Sequence, residues 1–262
     1  MTDHYNNKYG KIGVLMGGVS SEREISLKSG QAVINALKEE GFQVKVIDIK
    51  DESGQAVEKL IREGRIDLAF IVLHGRYGED GQIQSLLDNL QVPYTGSGVS
   101  ASQLAMNKLS TQNLLKKNGI VVPDYVSLNR NETIEASLIR DYLKEYPLIV
   151  KPACEGSSIG VKIVHDDNQL LQGIDQAFKL DNQILVERFI KGREMTVAVL
   201  GNRTLPIVEI CHKSTFFDFD AKYQKGQTEY TVPARIEESL ATDISNTAYK
   251  VHCLIGDRKS VV

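Results

Sequence analysis

The chain has 262 residues, 25% charged and 42% hydrophobic, with a formal net charge of −3. That balance is ordinary for a globular protein of one large or two smaller domains, and it argues against nucleic-acid binding driven by bulk positive charge. No apolar run approaches bilayer-spanning length, MTDHYNNKYG lacks the apolar core of a signal peptide, and the three cysteines (Cys154, Cys211, Cys253) are too scattered for a disulfide framework or zinc ribbon. The expected setting is the reducing cytoplasm, with neither membrane nor nucleic acid as partner.

In chain order, KIGVLMGG reads as a buried strand closed by two glycines. A helix follows from about Ser21 to Glu40, with apolar Ile25, Leu27, Ala32, Val33, Ala36 and Leu37. FQVKVIDI, AVEKLIRE, IDLAFIVLHG and GQIQSLLDNL read as strand, helix, strand and helix, the alternation of a parallel α/β sheet. The turn-rich PYTGSG ends this unit near Gly98. A second unit begins with helix NKLSTQNLLKKNG, strand PDYVSL, a helix over about Glu132 to Lys144 and strand PLIVK. After a Gly/Ser loop come strand VKIV, helix DDNQLLQGIDQAFKL and strand QILVERF. REMTVAVLG and RTLPIVEI read as an antiparallel pair joined by a Gly-Asn turn. A polar loop covers Cys211 to Tyr230, and a last helix runs from about Ile236 to Leu254.

Ligands of a parallel α/β sheet sit beyond the carboxyl ends of its strands, and two polar motifs lie there. In GGVSSEREISL, Ser21 and Glu24 have capping-box spacing, which gives Glu24 a structural role. Glu22 at the helix entrance either complements the helix dipole or binds a ligand. In LHGRYGEDGQIQSLL, His74 follows an apolar strand and precedes a glycine, so it is expected to face the crevice. A lone histidine of this kind is more often structural than catalytic; two polar groups at neighbouring strand ends strengthen the case for one shared ligand.

VKPACEGSSIGV is not a GxxxxGK[ST] motif. Gly156 and the two serines nevertheless allow successive backbone N–H groups to converge on phosphate oxygens, and Lys151 adds a point charge. A flexible hairpin loop is the plainer alternative. Cys154 in this loop has no adjacent base and reads as a packing residue rather than a nucleophile. ILVERFIKGREMTV sets Glu187, Arg188 and Ile190 in and just beyond a strand, with Glu194 following. Such a strand either grips an adenine and a ribose or is a solvated face. Lys108, at a helix start, reads by itself as a solvent lysine.

Taken together, VLMGGVSSEREISL, LHGRYGEDGQIQSLLDNLQVPYTGSG, MNKL, VKPACEGSSIGV, VERFIKGREMTVAVLG and TFFDFDAKYQKGQTEY resemble the D-alanine–D-alanine ligases of the ATP-grasp superfamily. The blocks run in family order from about residue 11 to 233. The resemblance implies an α/β fold: an N-terminal parallel α/β domain over 1–97, an ATP-grasp central subdomain over 98–188, and a C-terminal ATP-grasp subdomain over 189–262 that lacks its final strands. It implies that ATP phosphorylates the carboxylate of one D-alanine and that a second D-alanine attacks the acyl phosphate through its amine, making D-alanyl-D-alanine for peptidoglycan. Activation is needed because a carboxylate is a poor electrophile and phosphate a good leaving group, which leaves the protein positioning and charge stabilisation.

Carried over by position, Glu22 takes the ammonium of the first D-alanine with His74 beside its carboxylate. Ser157 bonds Glu22 and Tyr223. Lys108, Lys151 and Lys222 contact ATP phosphates. Glu187, Arg188 and Ile190 hold the adenine edge, Phe189 packs on the ring, and Glu194 binds the ribose. The family also implies magnesium or manganese and a homodimer. Its metal ligands and an oxyanion-binding Arg lie on strands beyond the last helix. This chain reads CLIGDRKSVV there, either the start of the first such strand or an altered end; it carries none of those ligands, and Asp218 and Asp220 are not the metal positions. Ligation by the chain as written is therefore not expected. The alternatives are a D-alanine–D-lactate ligase, against which AKY with Tyr223 argues, and a non-catalytic remnant that binds nucleotide or D-alanine.

Overall fold

The computed structural model of the chain describes residues 9–212, 222, 226–257 and, for the backbone, 259–261. It forms two compact units, Met1–Gln103 and Leu104–Val262.

In the first unit, β1 (Lys11–Gly17) lies between β2 (Gln43–Ile49) and β3 (Leu68–Ile71), both parallel to it. The apolar run of β1 makes it the central strand, buried on both faces. Successive side chains alternate between two cores. Val14 and Met16 meet Ile34 of α1 (Arg23–Glu39) on one face. Leu15 meets Val57 and Ile61 of α2 (Gly54–Gly64) and Ile83 and Leu87 of α3 (Gln82–Asn89) on the other. The buried stripe of α1 is Ser26, Gly30 and Ile34, one residue per turn. The Ser26 hydroxyl donates to Val72 O (2.6 Å) and accepts from Gly17 N (2.9 Å), tying the helix to the strand ends.

The expected capping box is corrected. The N-cap of α1 is Glu22, without a side-chain cap bond, and Glu24 is exposed. The chain turns one residue earlier: Arg23 N donates to Ser20 O at 3.1 Å, and the Ser20 hydroxyl accepts from Glu22 N at 3.3 Å. A further helix, α4 (Val99–Met106), was not expected. Its VSASQLAM sequence is small and mixed, with no apolar stripe at helical spacing to reveal it.

In the second unit α5 (Lys108–Lys117) precedes an antiparallel sheet of order β4-β7-β5-β6. Its strands are β4 (Tyr125–Asn129), β5 (Leu148–Pro152), β6 (Lys162–Val164) and β7 (Gln183–Arg188). Helices α6 (Ala136–Leu143) and α7 (Asp167–Ala177) bury Ile139, Leu143, Leu170 and Ile174 against Leu148, Val150, Ile184 and Val186. Helix α6 starts four residues later than expected because Glu132 closes a turn instead, accepting from Asn129 N at 2.8 Å and Asn129 Nδ2 at 2.7 Å.

REMTVAVLG splits at buried Val197 into β8 (Glu194–Thr196) and β9 (Ala198–Leu200), which join different sheets. Strand β9 pairs with β10 (Arg203–Thr204) across the Gly-Asn turn, as expected, and with β13 (Lys259–Val261). Strand β8 pairs with β11 (Val208–His212), which also pairs with β12 (Thr228–Thr231). The expected loop over Cys211 to Tyr230 is thus strand at both ends, because TEYT supplies β-forming residues that complete the ladder. Helix α8 (Glu238–Ile255) covers Val197 and Ile207 through Ala248.

Candidate functional site

The amino-acid candidates lie in the first unit. Glu22 is buried, 4% exposed. Gly75 (φ 70°) lies against it: a Cβ there would come 2.8 Å from Glu22 Oε2, so only glycine leaves the carboxylate its place. The preceding His74 has its carbonyl held by the Ser20 hydroxyl at 3.0 Å. Its Nδ1 lies 3.6 Å from Glu79 Oε1, while Nε2 is buried with no hydrogen-bond partner in the protein. The bond to Glu79 raises the imidazole pKa against the opposing effect of burial, and Glu22 adds to the rise. The Tyr77 hydroxyl is likewise buried and unpartnered, and burial pushes its pKa up to about 12, helped by Glu52 and Asp80. Tyr77, Glu79 and Ser20 were missed in the sequence. The first two lie in GRYGED, where their roles depend on a loop geometry that periodicity does not report.

In the second unit the phosphate-loop, lysine and strand candidates meet. Lys108, Lys151, Glu187, Arg188, Phe189, Ile190, Glu194 and Lys222 all line one cleft of about 510 Å³, with Ser157 on its wall. Apart from Lys222, they come from α5, β5, β7, the two residues after β7 and the start of β8. Tyr223 lies outside the described residues, so its expected bond to Ser157 does too.

The loop after β5 bends through Ser157 (φ 48°), Ser158 (φ 60°) and Gly160 (φ 73°). Left-handed backbone on two adjacent serines is the kind of strain found at ligand clamps, and inside the loop Ile159 N donates to Gly156 O at 2.9 Å and Val161 N to Ser158 O at 3.2 Å. At Gly160 a Cβ would lie 2.4 Å from Leu180 Cδ1. The loop's base is fixed by Asp181, whose Oδ2 accepts from Cys154 N at 2.8 Å.

Lys108 donates to Glu155 O and, at 3.5 Å, to Ala153 O. Burial, with Lys151 adding like-charge repulsion, brings its pKa down to about 8. Lys151 pairs with Glu187 Oε2 at 2.6 Å, and Gln112 Nε2 donates to Oε1 of the same carboxylate, with side-chain exposures of 19% for Lys151 and 4% for Glu187. These two cleft residues therefore hold each other. Arg188 N donates to Asp124 O at 3.0 Å and Phe189 N to Pro147 O at 3.3 Å, so both of these backbone amides are already engaged within the protein. Glu194 Oε1 is 3.2 Å from His212 Nε2. Gln112 and His212 were missed in the sequence; no motif marks either.

Among the described residues, no group of three or more His, Cys, Asp or Glu side chains is placed to hold a metal ion. Of the cleft carboxylates, Glu187 and Glu194 already have protein partners. The described residues thus do not fit a protein-held magnesium or manganese. None of the three cysteines is in a disulfide. No described helix is long and apolar enough to cross a membrane.

Comparison with known proteins gives the family of the chain. Residues 11–59 and 50–97 match the family model for the D-Ala-D-Ala ligase N-terminus, and residues 114–261 match that for the D-Ala-D-Ala ligase C-terminus. The D-alanine–D-alanine ligase of Syntrophotalea carbinolica is 46% identical over 246 residues, covering 94% of this chain and 78% of that protein. The crystal structure of the Bacillus anthracis D-alanine–D-alanine ligase superposes with a TM-score of 0.84 at 32% identity, covering 97% of this chain and 81% of that one. The same enzyme complexed with ATP gives 0.83 at 31% identity, covering 98% and 82%. With a parallel α/β unit followed by an ATP-grasp unit, and with both family models matched along its length, the chain belongs to the D-alanine–D-alanine ligase family.

Proposed function

We propose that the chain binds ATP in the cleft of its second unit and D-alanine beside Glu22 and His74 in its first. The reaction these groups serve in the D-alanine–D-alanine ligase family is the ATP-dependent joining of two D-alanines through an acyl phosphate, for peptidoglycan precursors. The convergence of all eight nucleotide candidates on one cleft supports this reading most strongly. Residues 80 positions apart, Lys108 and Arg188, have no reason to share a pocket on a solvated face.

The chemistry asked of each residue suits its surroundings. Buried Glu22 holds the ammonium of the first D-alanine by a charge-assisted bond. His74 keeps Nε2 for its carboxylate. The loop of Ser157 and Ser158 gives N–H groups to phosphate oxygens, with Lys108, Lys151 and Lys222 supplying charge. Phe189 packs on the adenine, Glu187, Arg188 and Ile190 frame its edge, and Glu194 accepts from the ribose. Tyr223 belongs to the same machinery. Magnesium or manganese enters with the nucleotide, and no step here rests on a protein-held ion. The division into 1–97, 98–188 and 189–262, the homodimer and the cytoplasmic setting belong to the same proposal.

Isothermal titration of the purified chain with ATP, with and without magnesium, and then with D-alanine, tests the reading. Saturable ATP binding that weakens at least tenfold in Lys151→Ala is expected, as is D-alanine binding lost in Glu22→Gln. Equal affinities in the variants would remove the assignments.

A further inference from the structure

No role has yet been given to His212, the partner of Glu194. His212 ends β11, where Ile210 stands opposite Glu194 and Thr228 of β12 stands opposite His212. His212 therefore overhangs the start of β8, on the same face as Ile210. Its Nε2 lies 3.2 Å from Glu194 Oε1. A carboxylate only accepts, so Nε2 carries the proton. The two side chains differ in exposure: 14% for His212 and 44% for Glu194. The histidine is the anchored partner, and the glutamate is the one that reaches into the cleft.

A half-exposed glutamate otherwise samples several rotamers and loses that freedom when it grips a ligand. With Oε1 tied to His212, Oε2 is presented in one direction. A vicinal diol can donate to such a carboxylate; a deoxygenated sugar cannot. We propose that His212 is a positioning residue that fixes Glu194 for the ribose hydroxyls of the nucleotide, so that the cleft selects ribonucleotides over their 2′,3′-dideoxy analogues. This rests on the reading of Glu194 as the ribose ligand.

The test measures Kd for ATP and for 2′,3′-dideoxyATP by calorimetry on the 262-residue chain. The variants are His212→Ala, His212→Gln, Glu194→Ala and the double His212→Ala/Glu194→Ala. His212→Ala is expected to weaken ATP roughly five- to tenfold, the scale of one lost hydrogen bond to a charged group. It should change dideoxyATP less than about twofold. His212→Gln should recover most of the loss, because its amide nitrogen overlays Nε2. The double variant should bind ATP no more weakly than Glu194→Ala alone, since both substitutions remove one interaction. Equal losses for both nucleotides, no recovery by Gln, or additive losses in the double variant would overturn the role of His212. A Glu194→Ala chain that keeps the full preference for ATP over dideoxyATP would instead remove the ribose reading itself. Thermal melts without nucleotide report folding; if His212→Ala melts early, the His212→Gln and Glu194→Ala results decide alone.

Discussion

Lys108 begins α5 with its ammonium on the carbonyls of Ala153 and Glu155, and burial beside Lys151 brings its pKa down to about 8. The folded value lies below that of the unfolded chain. Between about pH 8 and about pH 10.4 the unfolded state therefore holds the extra proton, and this group's contribution to stability rises with pH across that window. The phosphate binding proposed for Lys108 has the opposite sense, because it needs the ammonium. ATP affinity is expected to fall as pH rises through about 8, and Lys108→Arg, charged throughout, should flatten the profile. Titration calorimetry from neutral to mildly alkaline pH checks this; equal slopes in both proteins would refute it. Glu187 presents a different case, a carboxylate held by Lys151 and Gln112. Glu187→Gln leaves a largely buried ammonium without its counter-charge. The expected cost is about 2–4 kcal/mol, discounted from a fully buried pair because Lys151 faces the cleft. It should appear as a lower urea midpoint at unchanged slope, and adding Lys151→Met should restore most of it. An unchanged midpoint in the single variant would mean the pair contributes little.

At the scale of elements, α1 shows how close packing overrides local preference. Gly30 lies on its buried stripe, and a Cβ there would come 2.6 Å from Met16 Sδ and 2.8 Å from Met16 Cβ. Alanine in a helix interior is ordinarily better than glycine by about 1 kcal/mol. Here the added methyl must push the helix off β1, so Gly30→Ala is expected to destabilise by about 1–2 kcal/mol net. Thermal unfolding decides the sign, and a raised midpoint would show that Met16 yields. The same helix illustrates a second local rule set aside. Its N-terminus follows the Ser20 turn rather than the Ser21–Glu24 capping pattern, because Ser20 also bonds the His74 carbonyl.

For the molecule as a whole, the two compact units carry the two sets of proposed ligand groups, Glu22 and His74 in the first and the cleft proposed for the nucleotide in the second. Hydrogen exchange should separate them. ATP is expected to slow amide exchange in the loop of residues 153–161 and the strand segment Gln183–Arg188. D-alanine should slow it around Gly18–Glu24 and His74–Asp80. Loops that bind ligands are drawn from the less protected parts of a fold, so these segments have protection to gain. ATP leaving residues 153–161 unchanged would sink the phosphate-loop assignment.

Much of this architecture was legible in the sequence, for local reasons. The apolar run of KIGVLMG had to be a central buried strand, and the alternation of strands and helices specified the parallel first unit. The order of motifs carried the family and the residues of the cleft. What tertiary structure alone decided involves partners distant in sequence. Gln112 meets Glu187 across 75 residues, and His212 meets Glu194 across 18, through pairings set by strand register and helix packing. Neither position carries a periodic or motif signal, since a hydrogen-bonding side chain is recognisable only beside its partner. Helix α4 escaped for a related reason: VSASQLAM has no strong apolar face, so pattern reading sees no amphipathic stripe. Periodicity reports which face of an element is buried; what that face is buried against is decided by the register and packing of the folded chain.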